Sequence, residues 1–172
     1  MDEISIYLDV DGVVSPFGPR GTTDWGTKWQ YGDAGALEVM FAAELVRELN
    51  RISRHPGVRF VWLTSWEELA PRYLCPAIGL DGHTWPVLGS VDADPGLEWW
   101  KLEAIQRDIE ASAPDRAVWI DDQLGYEGPA MAWAAMLGER MLGISPDPRR
   151  GLTRADVAAI KEFLAPRPGA MA

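Results

Sequence analysis

The 172-residue sequence has a single cysteine, Cys75, and no long apolar segment. One cysteine excludes an internal disulfide and any metal or iron–sulfur site that needs several thiolates, and it suits a reducing compartment. The apolar stretches, such as residues 60–63, are far shorter than the roughly 20 residues that cross a bilayer. The start, Met1-Asp2-Glu3, lacks the basic and apolar regions of a secretory signal. We therefore expect a cytoplasmic protein with no membrane partner.

Basic residues are also scarce. Sixteen Lys and Arg residues stand against 26 Asp and Glu residues, which gives a formal net charge of −10. Nonspecific binding to nucleic acid is driven by basic side chains that displace counterions, so this balance disfavours tight binding along a phosphate backbone. Contact with only a terminal nucleotide or two is still compatible with this acidic charge balance. Tryptophan is abundant, with nine residues, and we expect most of them in the core or facing a ligand.

Length and hydrophobic pattern predict one α/β domain over residues 1–165 and a flexible tail over 166–172. Short apolar runs predict buried strands at residues 4–8, 58–63, 117–120 and 141–144, with a weaker strand at 84–89. Helical spacing predicts long helices from about residue 33 to 53, from 94 to 113 and from 153 to 164, and shorter ones at 67–74 and 129–137. The alternation predicts a three-layer Rossmann-like fold, with a mostly parallel sheet and helices on both faces.

Polar side chains gather where the predicted strands end. They are Asp9, Asp11 and Gly12 after the first strand, Thr64 and Ser65 after the second, and Asp121 and Asp122 after the third, with Lys101 early on the helix before that third strand. The carboxyl ends of parallel strands meet at one edge, so these groups should share a pocket. Four carboxylates would repel one another there unless a hard cation bound them, and Mg²⁺ suits oxygen ligands and a substrate phosphate.

In this pattern the sequence resembles the haloacid dehalogenase (HAD) superfamily of aspartate-dependent phosphohydrolases. The DxDG motif matches Asp9, Asp11 and Gly12, and the strand that ends in Thr or Ser matches Thr64. The motif lysine matches Lys101, and the paired acids after an apolar strand match Asp121 and Asp122. A weaker resemblance, through residues 62–67 and 144–153, is to HAD domains of RNA-repair proteins.

The resemblance implies a Mg²⁺-dependent phosphomonoester phosphatase. Asp9 would attack phosphorus and form an aspartyl-phosphate, while Asp11 would act as general acid and base and bind the metal through its backbone carbonyl. Asp121 and Asp122 would complete the metal site. Independently of the family, Lys101 suits the nucleophile and the phosphoryl group by its charge, and a hydroxyl at Thr64, or alternatively Ser65, suits a phosphoryl oxygen.

The loop over residues 15–33 is rich in glycine, proline and aromatic residues. By the resemblance it is a flap beside the nucleophile, and it is too short to contain a large cap domain. Trp25 and Trp29 either stack on a planar leaving group or pack the flap onto the core, and Arg20 or Lys28 would add positive charge near the phosphate. An open pocket and stackable aromatic residues favour a nucleotide or polynucleotide phosphate end as the substrate.

Two other functional classes are compatible with acidic residues at a sheet edge. A signalling receiver domain also gathers Asp, Thr and Lys there, but its paired acids follow the first strand, whereas here they follow the third. The other alternative is a catalytically idle HAD-like module that binds RNA ends or a protein partner. The presence of both Asp9 and Asp11 argues against it. The pattern does not predict the oligomeric state.

Overall fold

The computed structural model describes residues 2–18, 23–26, 28–35, 37–90 and 99–166. Its strands are β1 (Ile4–Leu8), β2 (Gln30–Asp33), β3 (Glu38–Phe41), β4 (Val58–Trp62), β5 (Arg116–Ile120) and β6 (Met141–Ile144). Its α-helices are α1 (Ala43–Ser53), α2 (Cys75–Ile78), α3 (Trp100–Ser112), α4 (Gly128–Met136) and α5 (Arg154–Leu164). None of the helices in the described part of the chain is long and apolar enough to cross a membrane.

The main sheet has four parallel strands in the order β4-β1-β5-β6. All four strongly predicted strands are confirmed, each within one residue at either end. The weaker strand predicted at residues 84–89 is reduced to one parallel bridge between Trp62 and Val87. Around that bridge the Trp62 amide donates to the Pro86 carbonyl and the Leu88 amide donates to the Trp62 carbonyl. The segment therefore covers the β4 edge only at its carboxyl end.

Each face of the main sheet carries its own apolar core, which confirms the three-layer prediction. On one face Ile6 and Leu8 of β1 pack with the buried sides of α1 and α5. On the other face Tyr7 of β1 and Trp119 of β5 pack with α3 and α4. Because strand side chains alternate between faces, a run of five buried residues such as β1 is what a sheet covered on both sides requires.

The helix predicted from residue 33 is wrong over its first ten positions. The apolar period of α1 is real, but it begins at Ala43, and the preceding residues form an antiparallel hairpin of β2 and β3. In its turn Gly35 has a φ of +85°, and the Asp33 carboxylate accepts a hydrogen bond from the Gly35 amide. A helix cannot pass through that left-handed residue, so the chain reverses. We call residues 30–41 the flap hairpin.

The other helices follow the sequence more closely. α5 begins with the predicted capping box, in which Thr153 and Asp156 exchange hydrogen bonds. α3 ends before Pro114 as predicted, whereas its predicted start at residues 94–95 lies outside the described residues. The short helix predicted at 67–74 is displaced, because Glu67 has a φ of +43° and the helical turns run instead over Ala70–Leu74 and Cys75–Ile78. The proposed tail beyond residue 166 also lies outside the described residues.

No large cap domain is present among the described residues. Between β1 and α1 the described residues form a tight loop, one helical turn at Thr23–Trp25 and the flap hairpin. Between β4 and α3 they form the two helical turns and the bridge to Val87. The carboxyl edge of the main sheet is therefore covered by small inserts.

Candidate active site

Backbone hydrogen bonds continue past the strand ends and fix the first acidic residues. The Asp9 amide donates to the Ile120 carbonyl at 3.0 Å, and the Asp121 amide donates to the Ile144 carbonyl at 3.0 Å. Asp9 and Asp121 are thus held by the sheet itself, on the neighbouring strands β1 and β5. The predicted meeting of these residues at one edge is what the parallel register produces.

Lys101 joins the two carboxylates. Its Nζ lies 2.6 Å from Oδ2 of Asp9 and 2.6 Å from Oδ2 of Asp121, and only 4% of the residue is exposed. Lys101 is the second residue of α3, so the first turn of that helix brings the ammonium over the ends of β1 and β5. The ring of Trp99 lies 5.5 Å from the same nitrogen and stacks on Trp119, which limits where the ammonium can move.

Asp9, Asp121 and Asp122 form a buried acidic cluster. One ligand atom from each lies within 4.8 Å of the others. The loop after β5 is held by Ser145, whose hydroxyl donates to the Asp122 carbonyl at 3.0 Å and accepts from the Gly125 amide at 2.9 Å. Converging carboxylate oxygens are the donor set of a hard divalent cation.

The electrostatics of the cluster favour a bound cation. Burial, and next the charge of Asp9, raise the pKa of Asp121, and the same two causes raise the pKa of Asp122. Burial opposes the protonated form of Lys101, but the carboxylates of Asp9 and Asp121 outweigh it and raise its pKa. One ammonium thus faces three carboxylates in a poorly solvated site, and a divalent ion would keep all three ionised.

Asp11 is not one of the three clustered carboxylates. Its Oδ2 accepts a 2.9 Å hydrogen bond from the indole N–H of Trp66, and the residue lines a groove beside the flap hairpin. Burial raises the pKa of Asp11, and the Trp66 hydrogen bond partly offsets that rise. A carboxyl group whose protonated form is favoured by burial is suited to donate a proton to a leaving group.

Gly12 allows the loop after β1 to approach the acidic cluster. It has a φ of +69°, and a Cβ there would lie 2.6 Å from Oδ2 of Asp122. The amides of Val14 and Ser15 both donate to the Val10 carbonyl, so the chain turns tightly directly after Asp11. The glycine of the sequence motif is required both for its dihedral angles and for the space it leaves.

The two candidate hydroxyls at the end of β4 differ in exposure. Thr64 is completely buried and its Oγ1 accepts from the Trp66 amide at 3.3 Å, whereas Ser65 is exposed. Both lie in the loop at the carboxyl end of β4, so the structure brings both to the correct edge. Their predicted contacts with phosphate stay predictions.

The predicted flap residues are placed differently from the strand-end residues. Trp25 is 7% exposed, donates from Nε1 to the Leu152 carbonyl at 2.6 Å and lies against the Arg154 guanidinium. Trp25 therefore packs the loop onto the core, which is the second of the two alternatives given for it. Trp29 is half-buried against the same core, Lys28 is exposed, and Arg20 lies outside the described residues.

The sequence analysis missed the residues that line the groove beside Asp11. The groove has a volume of about 460 Å³ and lies between the loop after β1 and the flap hairpin, with Trp66 contributing to its wall. The lining residues are Asp11, Ser15, Pro16, Phe17, Gly18, Tyr31, Leu37, Glu38, Val39, Met40 and Trp66. The usable signal was Gly32, Asp33 and Gly35, turn residues that suit a chain reversal better than the start of a helix, ahead of the short apolar run at 39–41.

A parallel Rossmann-like sheet with DxDG after β1, threonine after β4, a helix lysine and paired acids after β5 defines a HAD-superfamily domain. Within that superfamily the chain matches the family described as the HAD domain in Swiss Army Knife RNA repair proteins, over residues 5–157, and it belongs to that family. No curated protein matches the sequence significantly.

Two solved structures show the same fold. The HAD domain of effector protein Lem4 from Legionella pneumophila superposes with a TM-score of 0.62 at 16% identity, covering 95% of this chain and 94% of that one. That structure is of an inactive mutant. Legionella pneumophila effector Ceg4, crystallised with an N-terminal yeast Hog1p sequence, gives a TM-score of 0.59 at 12% identity, covering 96% and 97% of the two chains.

Proposed function

We propose that this protein is a Mg²⁺-dependent phosphomonoester phosphatase that works through an aspartyl-phosphate on Asp9. The proposal rests on the different surroundings of Asp9 and Asp11. Asp9 lies in a buried cluster with Asp121, Asp122 and Lys101, whereas Asp11 faces the adjoining groove. A phosphate bound at the cluster would therefore have a nucleophile on one side and a proton donor on the side of its leaving group.

The donor set fits Mg²⁺ better than a thiophilic metal. Oxygen atoms from Asp9, Asp121 and Asp122 converge. The single cysteine, Cys75, is buried in the apolar core and is not part of this cluster. The backbone carbonyl of Asp11 is the fourth protein ligand that the family resemblance implies. When bound, the ion neutralises carboxylate charge and polarises a phosphoryl oxygen.

In the first half-reaction an Asp9 carboxylate oxygen attacks phosphorus, a new P–O bond forms and the bond to the leaving oxygen breaks. That oxygen takes a proton from Asp11 and departs as an alcohol. Lys101, at 2.6 Å from Asp9 Oδ2, keeps the nucleophile oriented, and its ammonium suits the negative charge of the transferring group. The hydroxyl of Thr64 or Ser65 is the proposed donor to another phosphoryl oxygen.

In the second half-reaction Asp11 is ionised, having lost its proton. It removes a proton from a water molecule, whose oxygen attacks the phosphorus of the aspartyl-phosphate. The P–O bond to Asp9 breaks, inorganic phosphate leaves and both carboxyl groups return to their starting states. Every atom and proton in this cycle comes from the ester, the water or these two residues.

The arrangement of acids favours this function over the two alternatives. A receiver domain has its phosphoacceptor after a middle strand and its paired acids after the first, whereas here the proposed phosphoacceptor Asp9 follows β1 and the paired acids follow β5. An idle module would have no use for a buried lysine bridging Asp9 and Asp121 next to a proton donor.

A phosphorylated nucleotide or nucleic-acid end is the substrate class that the family description favours. We propose the cytoplasm as the location of the protein. Trp25 no longer supports base stacking, but Phe17 and Tyr31 expose aromatic rings in the groove beside Asp11.

The proposal is tested by phosphate release from an aryl phosphate in three conditions: with Mg²⁺, after chelation, and after Mg²⁺ is restored. We expect turnover only with Mg²⁺, and none in Asp9→Asn, whose amide is nearly isosteric but not nucleophilic. Asp147→Asn, a surface-loop carboxylate that only accepts a local amide, is the matched control and keeps full activity. Turnover in chelator, or in Asp9→Asn, would refute the site.

A further inference from the structure

We propose that the groove beside Asp11 binds the leaving alcohol of the substrate and selects an uncharged alcohol that carries a planar ring. The preferred esters are then monophosphates of single nucleosides or aryl alcohols, and esters with a second phosphate on the leaving group are rejected. This inference rests on the proposed function, because it assumes that the phosphate being removed is bound at Asp9.

The groove is continuous with the catalytic edge through Asp11. Asp11 belongs to the tight loop after β1 that carries the nucleophile, and its side chain also lines the groove. Asp9 does not line it. A substrate that reaches both residues has its phosphate at the buried cluster and its alcohol in the groove.

The walls of the groove are apolar and aromatic. Phe17 is 67% exposed, Tyr31 is 61% exposed and Leu37 is 57% exposed, and all three line it. Large apolar side chains this exposed, gathered on one surface next to reacting groups, are typical of a ligand surface. Tyr31 and Met40 are directly paired across the flap hairpin, so their side chains share one face of it.

The charges of the groove are all of one sign in the part of the chain that the structure describes. Its charged lining residues are Asp11 and Glu38, and no described lining residue is a lysine or arginine. Glu38 is exposed on β3, and a second phosphate in the groove would be repelled by it, with no lysine or arginine among the described lining residues to offset that repulsion. An uncharged nucleoside or aryl group meets no such penalty and gains contact with the rings.

The experiment compares kcat/KM for four esters in the same Mg²⁺ buffer: a nucleoside 5′-monophosphate, para-nitrophenyl phosphate, the matching nucleoside 3′,5′-bisphosphate and glucose 6-phosphate. We expect kcat/KM of the first two to exceed that of the bisphosphate by about tenfold, because the carboxylate of Glu38 repels the second phosphate. We expect glucose 6-phosphate, whose leaving alcohol is uncharged but not planar, to fall below the nucleotide by a factor of about ten, because glucose cannot stack on the rings.

Charge reversal tests the role of Glu38. Glu38→Lys should raise kcat/KM for the bisphosphate relative to the monophosphate roughly fivefold, an effect that shrinks in high salt. Glu162→Lys is the matched control, because Glu162 is exposed near the end of α5 and does not line the groove. Equal changes in the two variants would overturn the assignment to Glu38.

The aromatic wall is tested at Tyr31. Tyr31→Leu should lower kcat/KM for the nucleotide roughly fivefold and leave glucose 6-phosphate unchanged, and Tyr31→Phe should restore the nucleotide. Tyr126→Leu removes a tyrosine that is 82% exposed but not part of the groove, and should change neither ester. A loss for both esters in Tyr31→Leu would mean a structural role for the ring and would overturn the stacking assignment.

Arg20 provides a further check, because it follows the wall at residues 15–18 in sequence and lies outside the described residues. We expect Arg20→Ser to leave the preference for the monophosphate intact. If Arg20→Ser removes hydrolysis of the bisphosphate or of a phosphorylated oligonucleotide alone, the chain binds a polyanion and the inference fails. Failure to hydrolyse every ester, the aryl phosphate included, would instead refute the proposed function.

Discussion

The indole N–H of Trp66 donates a 2.9 Å hydrogen bond to Oδ2 of Asp11, and so links the loop after β4 to the loop after β1. Trp66 is 6% exposed, which leaves its ring little freedom. The bond fixes one oxygen, Oδ2, of the proposed general acid. We therefore expect Trp66 to act as a positioning residue for the proposed proton transfer.

Replacing Trp66 with Phe should therefore impair proton donation selectively. We expect kcat for an alkyl phosphate, which needs a proton on its leaving oxygen, to fall roughly tenfold, while kcat for para-nitrophenyl phosphate falls much less. Trp62→Phe is the control, since Trp62 is a buried tryptophan that donates to the Gly82 carbonyl instead. Equal losses on both esters in Trp66→Phe would argue for a packing role only.

Removing the ammonium of Lys101 should destabilise the protein as well as inactivate it. Lys101→Met leaves Asp9 and Asp121 buried without a cation in metal-free buffer, and the loss of one partner from a buried ion pair costs about 3–5 kcal/mol. We expect denaturant unfolding to show that loss, and kcat to fall at least roughly 100-fold. Lys161→Met, which breaks an exposed pair with Glu48, should cost less than about 1 kcal/mol.

The fold and the buried cluster were predictable because their signals are local. β1 and β5 are unbroken apolar runs that end in aspartate, and a parallel sheet necessarily brings such ends to one edge. Lys101 was placed correctly on a helix, because the apolar spacing of that helix is also a local signal. Its partners Asp9 and Asp121 then follow from the sheet register, which brings both carboxylates to that edge.

The groove was not predictable, because its residues are joined only by tertiary contacts. Trp66 lies 55 positions from Asp11, and no periodicity relates them. The apolar spacing of α1 is continuous with Val39 and Phe41 in sequence, so a helix seemed to extend through what is a strand. The left-handed φ of Gly35 is what excludes a helix in favour of the hairpin. Glycine is common in loops, however, so its presence in the sequence did not by itself indicate a hairpin.

Mg²⁺ should stabilise the folded protein through the acidic cluster. A ligand that binds only the native state at about 100 times its Kd adds about 2.7 kcal/mol, so the melting temperature should rise with Mg²⁺ concentration. In Asp122→Asn, which removes one charge from the cluster, most of that rise should disappear. Asp81→Asn, a surface residue paired with Arg54, should retain it, and a full Mg²⁺ effect in Asp122→Asn would exclude that residue as a ligand.

Stability should also depend on pH through Asp108 on α3. Its carboxylate accepts from the Tyr7 hydroxyl at 2.7 Å and from Arg59 at 2.7 and 2.9 Å. Burial opposes the ionised form, but these bonds outweigh it and lower the pKa of Asp108. Because the native pKa is depressed, the stabilisation is complete above the unfolded-state pKa of about 4 and is lost as the pH falls through the native value.

Asp108→Asn should therefore lower the free energy of unfolding by about 2 kcal/mol at pH 7 and by clearly less at pH 3. Denaturant titrations at the two pH values measure the difference. Asp115→Asn changes a carboxylate that accepts the Glu3 amide at an exposed site, and should show no comparable pH dependence. A constant deficit in Asp108→Asn at both pH values would assign the loss to packing.

A methyl group at Gly12 should disable the metal site, for a reason separable from backbone strain. Gly12 and Gly79 have similar left-handed φ values, +69° and +75°, so alanine at either position costs about 1 kcal/mol of strain. A Cβ at Gly79 meets nothing within 4 Å, whereas one at Gly12 would lie 2.6 Å from the Asp122 carboxylate.

Gly79→Ala should therefore be slightly destabilised yet fully active, with its Mg²⁺-dependent rise in melting temperature intact. Gly12→Ala should lose both activity and that rise, because Asp122 must move away from Asp9 and Asp121. If Gly12→Ala matched Gly79→Ala in turnover and Mg²⁺ response, the position of the Asp122 carboxylate would not matter to the site.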